Sequence, residues 1–480
     1  MIKKITLTGE QSHAVDLFKS GGSLKVDARA GAGKTSTLVA MAKEVLVGRG
    51  LYMAFNRAIA EEAQRKFGAG VTAKTAHSLA YVKYGALYRN RLNQRLTGGV
   101  VAEYLNIPDT ELLSGKAIGN ILISYITRYC NSADDSIGVN HAPLSEIDLP
   151  IEDKHELALM KRQIATELLP HAQRLWLALE RTDGYLPVTH DVYLKLWALS
   201  KPKLNYSYIM IDEAQDLNPV LIKVLEDQIH SQLIYVGDPY QSIYGFRGAV
   251  NAMVDCRADN SAVLSQSFRF GQAIADVGMS VLQHQLKADV TIGGFADIES
   301  EVEREQSFPE PQAILCRTNK QAIISLAACI ERGREPFVMG GVAEMIGLLQ
   351  GIKELQSGKR SSSPEIAAFK TYAELVEYSE TEAGLDLQSI VKLVSDYGTD
   401  GLIKVLWQVK DTREHDADVV ISTAHKAKGR EWGFVQLGDD FRNREDAGWG
   451  KEDAHLLYVA ATRAQYLLDI SNCSAALASL

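Results

Sequence analysis

Leu24-Lys-Val-Asp-Ala28-Arg-Ala30-Gly31-Ala32-Gly33-Lys34-Thr35 decides how this chain folds. Residues 24–28 read as a short strand, a glycine-rich turn follows, and Thr35 to Val47 reads as a helix. A strand that turns through glycines into a helix is the context a phosphate-binding loop requires. Glycine lets consecutive backbone N–H groups curl round phosphate oxygens, and the helix N-terminus adds donors and partial positive charge. On that reading Ala30, Gly31, Ala32, Gly33 and Ser36 line the phosphates of a nucleotide. Lys34 reaches the β- and γ-phosphates, and Thr35 holds Mg²⁺. The bland alternative is a glycine-rich turn of an unrelated fold, and Ala28 stands where the general pattern has glycine.

The pattern repeats outward. Leu51 to Ala54 is a second apolar run, followed by a helical stretch from Ala58 to Lys66. Strand–turn–helix alternation of this kind predicts an α/β fold with parallel sheets. From Arg89 to Leu186 the pattern turns mostly helical, with Glu156 to Arg181 as a long amphipathic helix. Strand signals return at Tyr208–Ile211 and Leu233–Val236, and later at Ala313–Leu315, Val419–Ser422, Phe434–Leu437 and Leu467–Ile470. Two α/β regions separated by a helical insertion are therefore expected. Gln356-Ser-Gly-Lys-Arg-Ser-Ser-Ser-Pro364 reads as a linker, because small polar residues and a proline do not build a core.

Ile209-Met-Ile211-Asp212-Glu213 supplies the partner to the phosphate loop: an apolar strand ending in two carboxylates. Asp212 would bind Mg²⁺ and Glu213 would polarise the attacking water. Taken alone, Asp-Glu also fits an exposed acidic helix start.

Composition bounds the remaining possibilities. At about 150 residues per domain, 480 residues give roughly three domains or subdomains. Hydrophobic residues at 46% and charged residues at 23% exclude a wholly disordered or fibrous chain. A net charge of −9 excludes a surface that coats nucleic acid everywhere but allows one local groove. Five dispersed cysteines with no CxxC pair argue against a disulfide framework or zinc knuckle, and no histidine has metal-ligand spacing. The N-terminal lysines have no apolar run behind them and no stretch of 18 apolar residues occurs, so no signal peptide or membrane contact is expected, and a cytoplasmic protein of a bacterial or phage-infected cell is.

Asp212-Glu-Ala-Gln-Asp216, with Val236-Gly-Asp-Pro-Tyr-Gln241-Ser-Ile-Tyr244-Gly-Phe246-Arg247, resembles superfamily 1 helicases of the UvrD/Rep type. Further matches follow in that family's order. Gln11 resembles the Q motif, Phe55-Asn56-Arg57 motif Ia and Thr75-Ala-His77-Ser78 motif Ib. Gln266-Ser-Phe268-Arg269 resembles motif IV, and Arg317-Thr-Asn319 motif IVa. Thr423-Ala-His425 through Glu431 resembles motif V, and Leu457 through Arg463 motif VI. Thr189 through Pro202 is similar to the helicase region of the F-box DNA helicase branch; no F-box segment precedes the motifs, so ubiquitin-ligase partners are not expected.

The resemblance implies two RecA-like parallel-sheet domains. Domain 1A would comprise residues 1–87 and 187–264, interrupted by a helical 1B insertion at 88–186. Domain 2A would comprise 265–350 and 400–480, interrupted by a reduced 2B insertion at 351–399. It implies that ATP lies between the two, with Lys34, Thr35, Asp212, Glu213 and Gln241 from the first and Arg269 and Arg463 reaching the γ-phosphate from the second. Gln11 would read adenine, Phe268 would stack on it, and Glu431 would serve the ribose or the coupling to DNA. Taken alone, each arginine reads as a surface salt-bridge residue, and its motif context reverses that reading. Single-stranded DNA would meet Tyr244 and Phe246 as stacking platforms, which need no sequence code. Phe55 is open between stacking and core packing. Asn56, His77, Asn319, Thr423 and His425 are open between DNA contacts and structural hydrogen bonds.

The resulting expectation is a monomeric ATP-dependent helicase and translocase moving 3′ to 5′ on single-stranded DNA and unwinding duplex at single/double-strand junctions, in repair, recombination or replication. Alternatives are a translocase that strips recombination proteins from single strands, a defence-system helicase with a separate nuclease partner, and a non-catalytic binding module, against which the intact ATP-site residues argue.

Overall fold

The structure, a computed structural model, describes residues 6–44, 48–92, 96–110, 112–147, 149, 151, 153–245, 250–363, 365–367, 369, 371–379 and 385–480. They form two compact units: one of Met1–Ala28 and Gly33–Leu264, the other of Arg29–Ala32 and Ser265–Leu480.

The first unit is built on six parallel strands, β1 (Leu24–Ala28), β2 (Gly50–Ala54), β3 (Val71–Thr75), β4 (Tyr208–Ile211), β5 (Gln232–Gly237) and β6 (Asn260–Leu264), in the order β3-β2-β4-β5-β1-β6. β2 and β4 are buried along their whole length, as expected of interior strands covered on both faces. Because all the strands run the same way, the loops after them gather at one edge.

The helical insertion does not stand apart from this sheet. Helices Gly98–Leu105, Gly115–Asn131, Lys154–Glu180 and His190–Leu199 share one hydrophobic core with Leu51 and Met53 of β2 and Ile209 and Ile211 of β4. Tyr125, Leu122, Leu175 and Leu179 are fully buried in it. Gly119 permits the first two helices to touch backbone to backbone: a Cβ there would lie 2.0 Å from the Gly98 carbonyl oxygen.

Two lysines tie the turn after helix Gly115–Asn131 to the sheet side of the unit. Lys195 Nζ donates to the carbonyls of Ser132 (2.8 Å) and Asp134 (2.7 Å). Lys223 Nζ donates to the Ala133 carbonyl (2.9 Å) and the Asp135 carboxylate (2.6 Å). Helix C-termini favour cations, so the donors complement the carbonyls they meet. Burial pushes the Lys195 ammonium down to about 8, even though Cys130 and Asp134 pull the other way. An unfolded lysine titrates near 10.4, so between about pH 8 and pH 10 the unfolded chain binds more protons and stability rises with pH. Below about pH 8 this contribution is absent. The gain in melting temperature from pH 7 to pH 9.5 should therefore be smaller in Lys195→Met than in the parent; equal gains would mean that Lys195 is not the titrating group.

The second unit repeats the plan with β7 (Glu301–Glu303), β8 (Ala313–Cys316), β9 (Pro336–Val338), β10 (Val419–Thr423), β11 (Trp432–Leu437) and β12 (Ala464–Asp469), all parallel, in the order β7-β12-β11-β8-β10-β9. Helices Asn319–Glu331, Ala343–Gln356, Leu385–Tyr397 and Thr399–Gln408 pack over Ile314, Val338 and Ile421 in one core. All five cysteines are buried and unpaired with one another. Among the described residues, no helix is long and apolar enough to cross a membrane.

The stretch 356–364 is not the loose linker its composition predicts. Ser361 and Ser363 are buried, and both press on Gly351, where a Cβ would lie 2.4 Å from Ser361 Oγ and 2.6 Å from Ser363 Cβ. Ser362 N donates to the Glu354 carboxylate at 2.6 Å. Small side chains here serve close approach to a helix rather than flexibility; Pro364 lies outside the described residues.

Candidate nucleotide site and nucleic-acid face

The turn between β1 and helix Lys34–Glu44 holds Gly31 at φ +73° and Gly33 at φ +74°, a left-handed conformation that residues with a Cβ rarely adopt. Lys34 begins the helix, and Thr35 and Ser36 follow on its first turn, both half-buried. β4 lies one strand away from β1, across β5, so its C-terminal carboxylates meet this helix start. Lys34 Nζ donates to Glu213 Oε1 at 2.7 Å. Burial alone would lower the Lys34 pKa, but Glu213, Asp212 and Asp238 together hold it above its ordinary value.

Glu213 sits in the left-handed region at φ 54°, ψ 43°, a strained setting for a residue with a side chain. The strain turns its carboxylate toward Lys34. Asp212 is nearly buried, and Tyr52 Oη from β2 donates to its Oδ2 at 2.5 Å. Burial, then the neighbouring Glu213 carboxylate, raises the Asp212 pKa, opposed by Lys34 and Tyr52. With one oxygen engaged by Tyr52 and the other accepting from Glu213 N at 2.9 Å, the Asp212 carboxylate is fixed in orientation. A carboxylate so oriented, with the Thr35 hydroxyl on the same sheet edge, is an oxygen donor set that suits Mg²⁺.

Beyond β5, Gln241 is buried and donates through Nε2 to Asp238 Oδ2 at 2.8 Å. Gln11 is buried too; its Oε1 accepts from Thr8 N at 3.1 Å in a capping box that starts helix Gly9–Ser20.

Phe55, just past β2, is 45% exposed and lies face to face with Tyr244, with centroids 5.5 Å apart and planes 15° apart. Exposure rules out core packing for Phe55. Asn56 is exposed, but its side chain caps helix Arg57–Phe67 by accepting from Ile59 N at 2.9 Å. His77 follows β3, pairs with Asp191 at 3.6 Å, and is edge-on to His190 and Tyr193. A cavity of about 540 Å³ within this unit is lined by Phe55, His77 and Tyr244 on one side, Asp212 and Glu213 on another, and Asn131 of the insertion. Phe246, the expected second stacking platform, lies outside the described residues.

In the second unit the expected residues separate into two groups. Thr423 ends β10, His425 follows it, and Asn319 follows the neighbouring strand β8, whose register pairs Cys316 with Thr423. Arg269, Glu431 and Arg463 gather at the opposite edge, where β11 and β12 begin. Arg269 Nε donates to Glu431 Oε2 at 2.6 Å and its Nη1 to the Thr462 carbonyl at 3.0 Å. Glu431 thus serves as an arginine partner here. Arg463 is 1% exposed, and its Nε donates to the Val459 carbonyl at 2.9 Å. Phe268 packs edge-on to Phe295 at 5.3 Å.

Sequence reading assigned no role to Tyr52, Gln215 or Asp238. Gln215 and Asp238 stand inside motifs already noticed, but the bond from Asp238 N to Gln215 Oε1 depends on strand order. Tyr52 reads as one more apolar strand residue.

Comparison with known proteins agrees with this arrangement. Residues 158–259 match the UvrD/REP helicase N-terminal domain, and residues 418–469 match the UvrD-like helicase C-terminal domain. F-box DNA helicase protein 1 of Schizosaccharomyces pombe is 28% identical over 97% of this chain and 57% of its own length. F-box DNA helicase 1 of Gallus gallus is 31% identical over 98% of this chain and 49% of its own. The RecBCD enzyme subunit RecB of Mycobacterium tuberculosis is 26% identical over 40% of this chain and 19% of its own. The chain therefore spans about half the length of the two F-box helicases it matches. One matched segment lies in each of the two parallel-sheet units, and both matches are to domains of UvrD-like helicases.

Proposed function

We propose that this chain is an ATP-dependent DNA helicase and translocase that moves 3′ to 5′ on single-stranded DNA. The observation that carries the proposal is the shared edge of the first sheet. There the phosphate loop, the Asp212–Glu213 pair and Gln241 stand beside an aromatic pair, exposed Phe55 and half-buried Tyr244. Phosphate chemistry and base stacking are thus a few residues apart, which is what a motor that converts hydrolysis into strand movement needs.

In this reading the loop N–H groups and Lys34 hold the triphosphate, with Ala30, Gly31, Ala32, Gly33 and Ser36 lining it, Gln11 at adenine and Phe268 against the base. Thr35 and Asp212 would hold Mg²⁺, which when bound neutralises phosphate charge. Glu213 accepts the proton of the attacking water. Gln241 senses the γ-phosphate, and Arg269 and Arg463 neutralise the charge that develops on it. Glu431 orients Arg269. Phe55, Tyr244 and Phe246 stack on bases, while Asn56, His77, Asn319, Thr423 and His425 contact the strand. The insertion at 88–186 and the small element at 351–399 act as 1B and reduced 2B at the duplex junction.

Unwinding of 3′-tailed, 5′-tailed and blunt duplexes with ATP tests activity and polarity together: only the 3′-tailed substrate should open, and equal opening of the 5′-tailed one would reverse the assignment. Tyr244→Ala should weaken single-strand binding roughly five- to a hundred-fold, since one stacked base is worth about 1–3 kcal/mol. Fluorescence anisotropy with a labelled oligothymidine measures it; an unchanged Kd would leave the Phe55–Tyr244 pair as surface packing only.

A further inference from the structure

The geometry points to Gln215 as the residue that positions Glu213 for hydrolysis and ties that carboxylate to the loop bearing Tyr244. This rests on the reading of Glu213 as the base. Gln215 is fully buried, although no substrate contact is assigned to it. Its side-chain Nε2 donates to Glu213 Oε2 at 2.5 Å. Its Oε1 accepts from Asp238 N at 3.2 Å, immediately after β5. Its own carbonyl accepts from Ser242 Oγ at 3.1 Å. One side chain thus joins the end of β4 to the start of the segment that runs through Gln241 and Ser242 to Tyr244.

The fit is close from the other side as well. Gly237, the last residue of β5, is not in the left-handed region, yet a Cβ there would lie 2.2 Å from Gln215 Oε1. The missing side chain at 237 is room for the Gln215 amide.

The two oxygens of the Glu213 carboxylate are held differently. Oε1 is engaged by Lys34 and Oε2 by Gln215. When Lys34 turns to a bound triphosphate, the Lys34 contact is given up and Gln215 keeps the carboxylate in place. Other ionisable groups that face the carboxylate are Lys34, Asp212 and Tyr52, with Asp238 acting on Lys34. Displacement of the Asp238–Ser242 segment by a strand stacked on Tyr244 would be felt at Glu213 through this one amide.

The test uses the full chain with Gln215→Met, which keeps length but removes both polar contacts, and Gln215→Glu, which keeps the acceptor for Asp238 N and replaces the donor with a like charge. Hydrogen bonds to charged groups predict a fall in DNA-stimulated kcat of about ten- to a hundred-fold for Gln215→Met, with Kd for a fluorescent ATP analogue and for oligothymidine within about threefold of the parent. Gln215→Glu, which sets a like charge against Glu213, should lose DNA-stimulated kcat at least as far, with the same two Kd values retained. A purely structural residue would lower the melting temperature and leave kcat of the folded variants near parental. Folded Gln215→Met or Gln215→Glu with parental kcat overturns the assignment. Glu213→Gln is the control: if it hydrolyses ATP at the parental rate, the reading of Glu213 fails; if it is inactive while Gln215→Met is fully active, only the role of Gln215 fails.

Discussion

Lys34→Ala is expected to lose DNA-stimulated ATP hydrolysis by on the order of 10²–10³-fold, the effect of removing one preorganised charge partner from a developing transition state. The chain should stay folded, because the Lys34 side chain is spent on Glu213 rather than on a hydrophobic core. A second consequence follows from the electrostatics. Lys34 opposes the rise in the Asp212 pKa, so its removal lifts that carboxylate further toward protonation. Steady-state ATPase with circular dichroism as a folding check measures the outcome. Parental turnover in the folded variant would remove the phosphate-loop assignment, and Lys34→Met, which retains the aliphatic length, should behave as Lys34→Ala does.

Arg463→Ala is expected to bind ATP nearly normally and hydrolyse it on the order of 10³-fold or more slowly, as expected of a guanidinium that acts on transition-state charge. A stability loss should accompany it. The arginine is almost completely buried, and its guanidinium donates to the Val459 and Arg430 carbonyls, so truncation leaves a cavity and removes two hydrogen bonds. Arg463→Lys separates the two effects: it keeps a charge but not the planar fork, and should recover more stability than turnover. Loss of ATP affinity with an unchanged maximal rate would instead mark Arg463 as a ground-state contact.

The strands legible in the sequence and those that were not divide by position. β1, β2, β4 and β5, and β8, β10, β11 and β12, announce themselves as apolar runs, and all lie inside their sheets. β3, β6, β7 and β9 gave no clear signal, and each is a sheet edge. An edge strand has one neighbour, is often short, and carries polar side chains that discourage further pairing, so its apolar signal is diluted. Val71-Thr-Ala-Lys-Thr75 and Glu301-Val-Glu303 show that composition directly.

At the site, Lys34, Asp212, Glu213 and Gln241 were legible because their chemistry depends on local spacing around a turn. Tyr52 was not, because strand order brings Asp212 to it, and Gln215 was not, because its link to Asp238 depends on β5 lying beside β4. The stretch 356–364 was misread for a related reason: serines signal flexibility only where nothing packs on them, and here a bare glycine on helix Ala343–Gln356 receives them.

The place of β1 has a consequence for how the chain is made. The strand that leads into the phosphate loop is flanked by β5 and β6, and at its start Ser23 N donates to Asp259, 236 residues later. During synthesis at about 5–20 residues per second, β1 waits roughly 10–50 s for that neighbour to leave the ribosome. For most of that interval, until β5 is made, Leu24, Val26 and Ala28, all fully buried in the finished sheet, have no strand beside them. The nascent N-terminal segment should therefore be a client for chaperones that bind extended apolar peptides, and the phosphate loop should be among the last parts of the first unit to take shape.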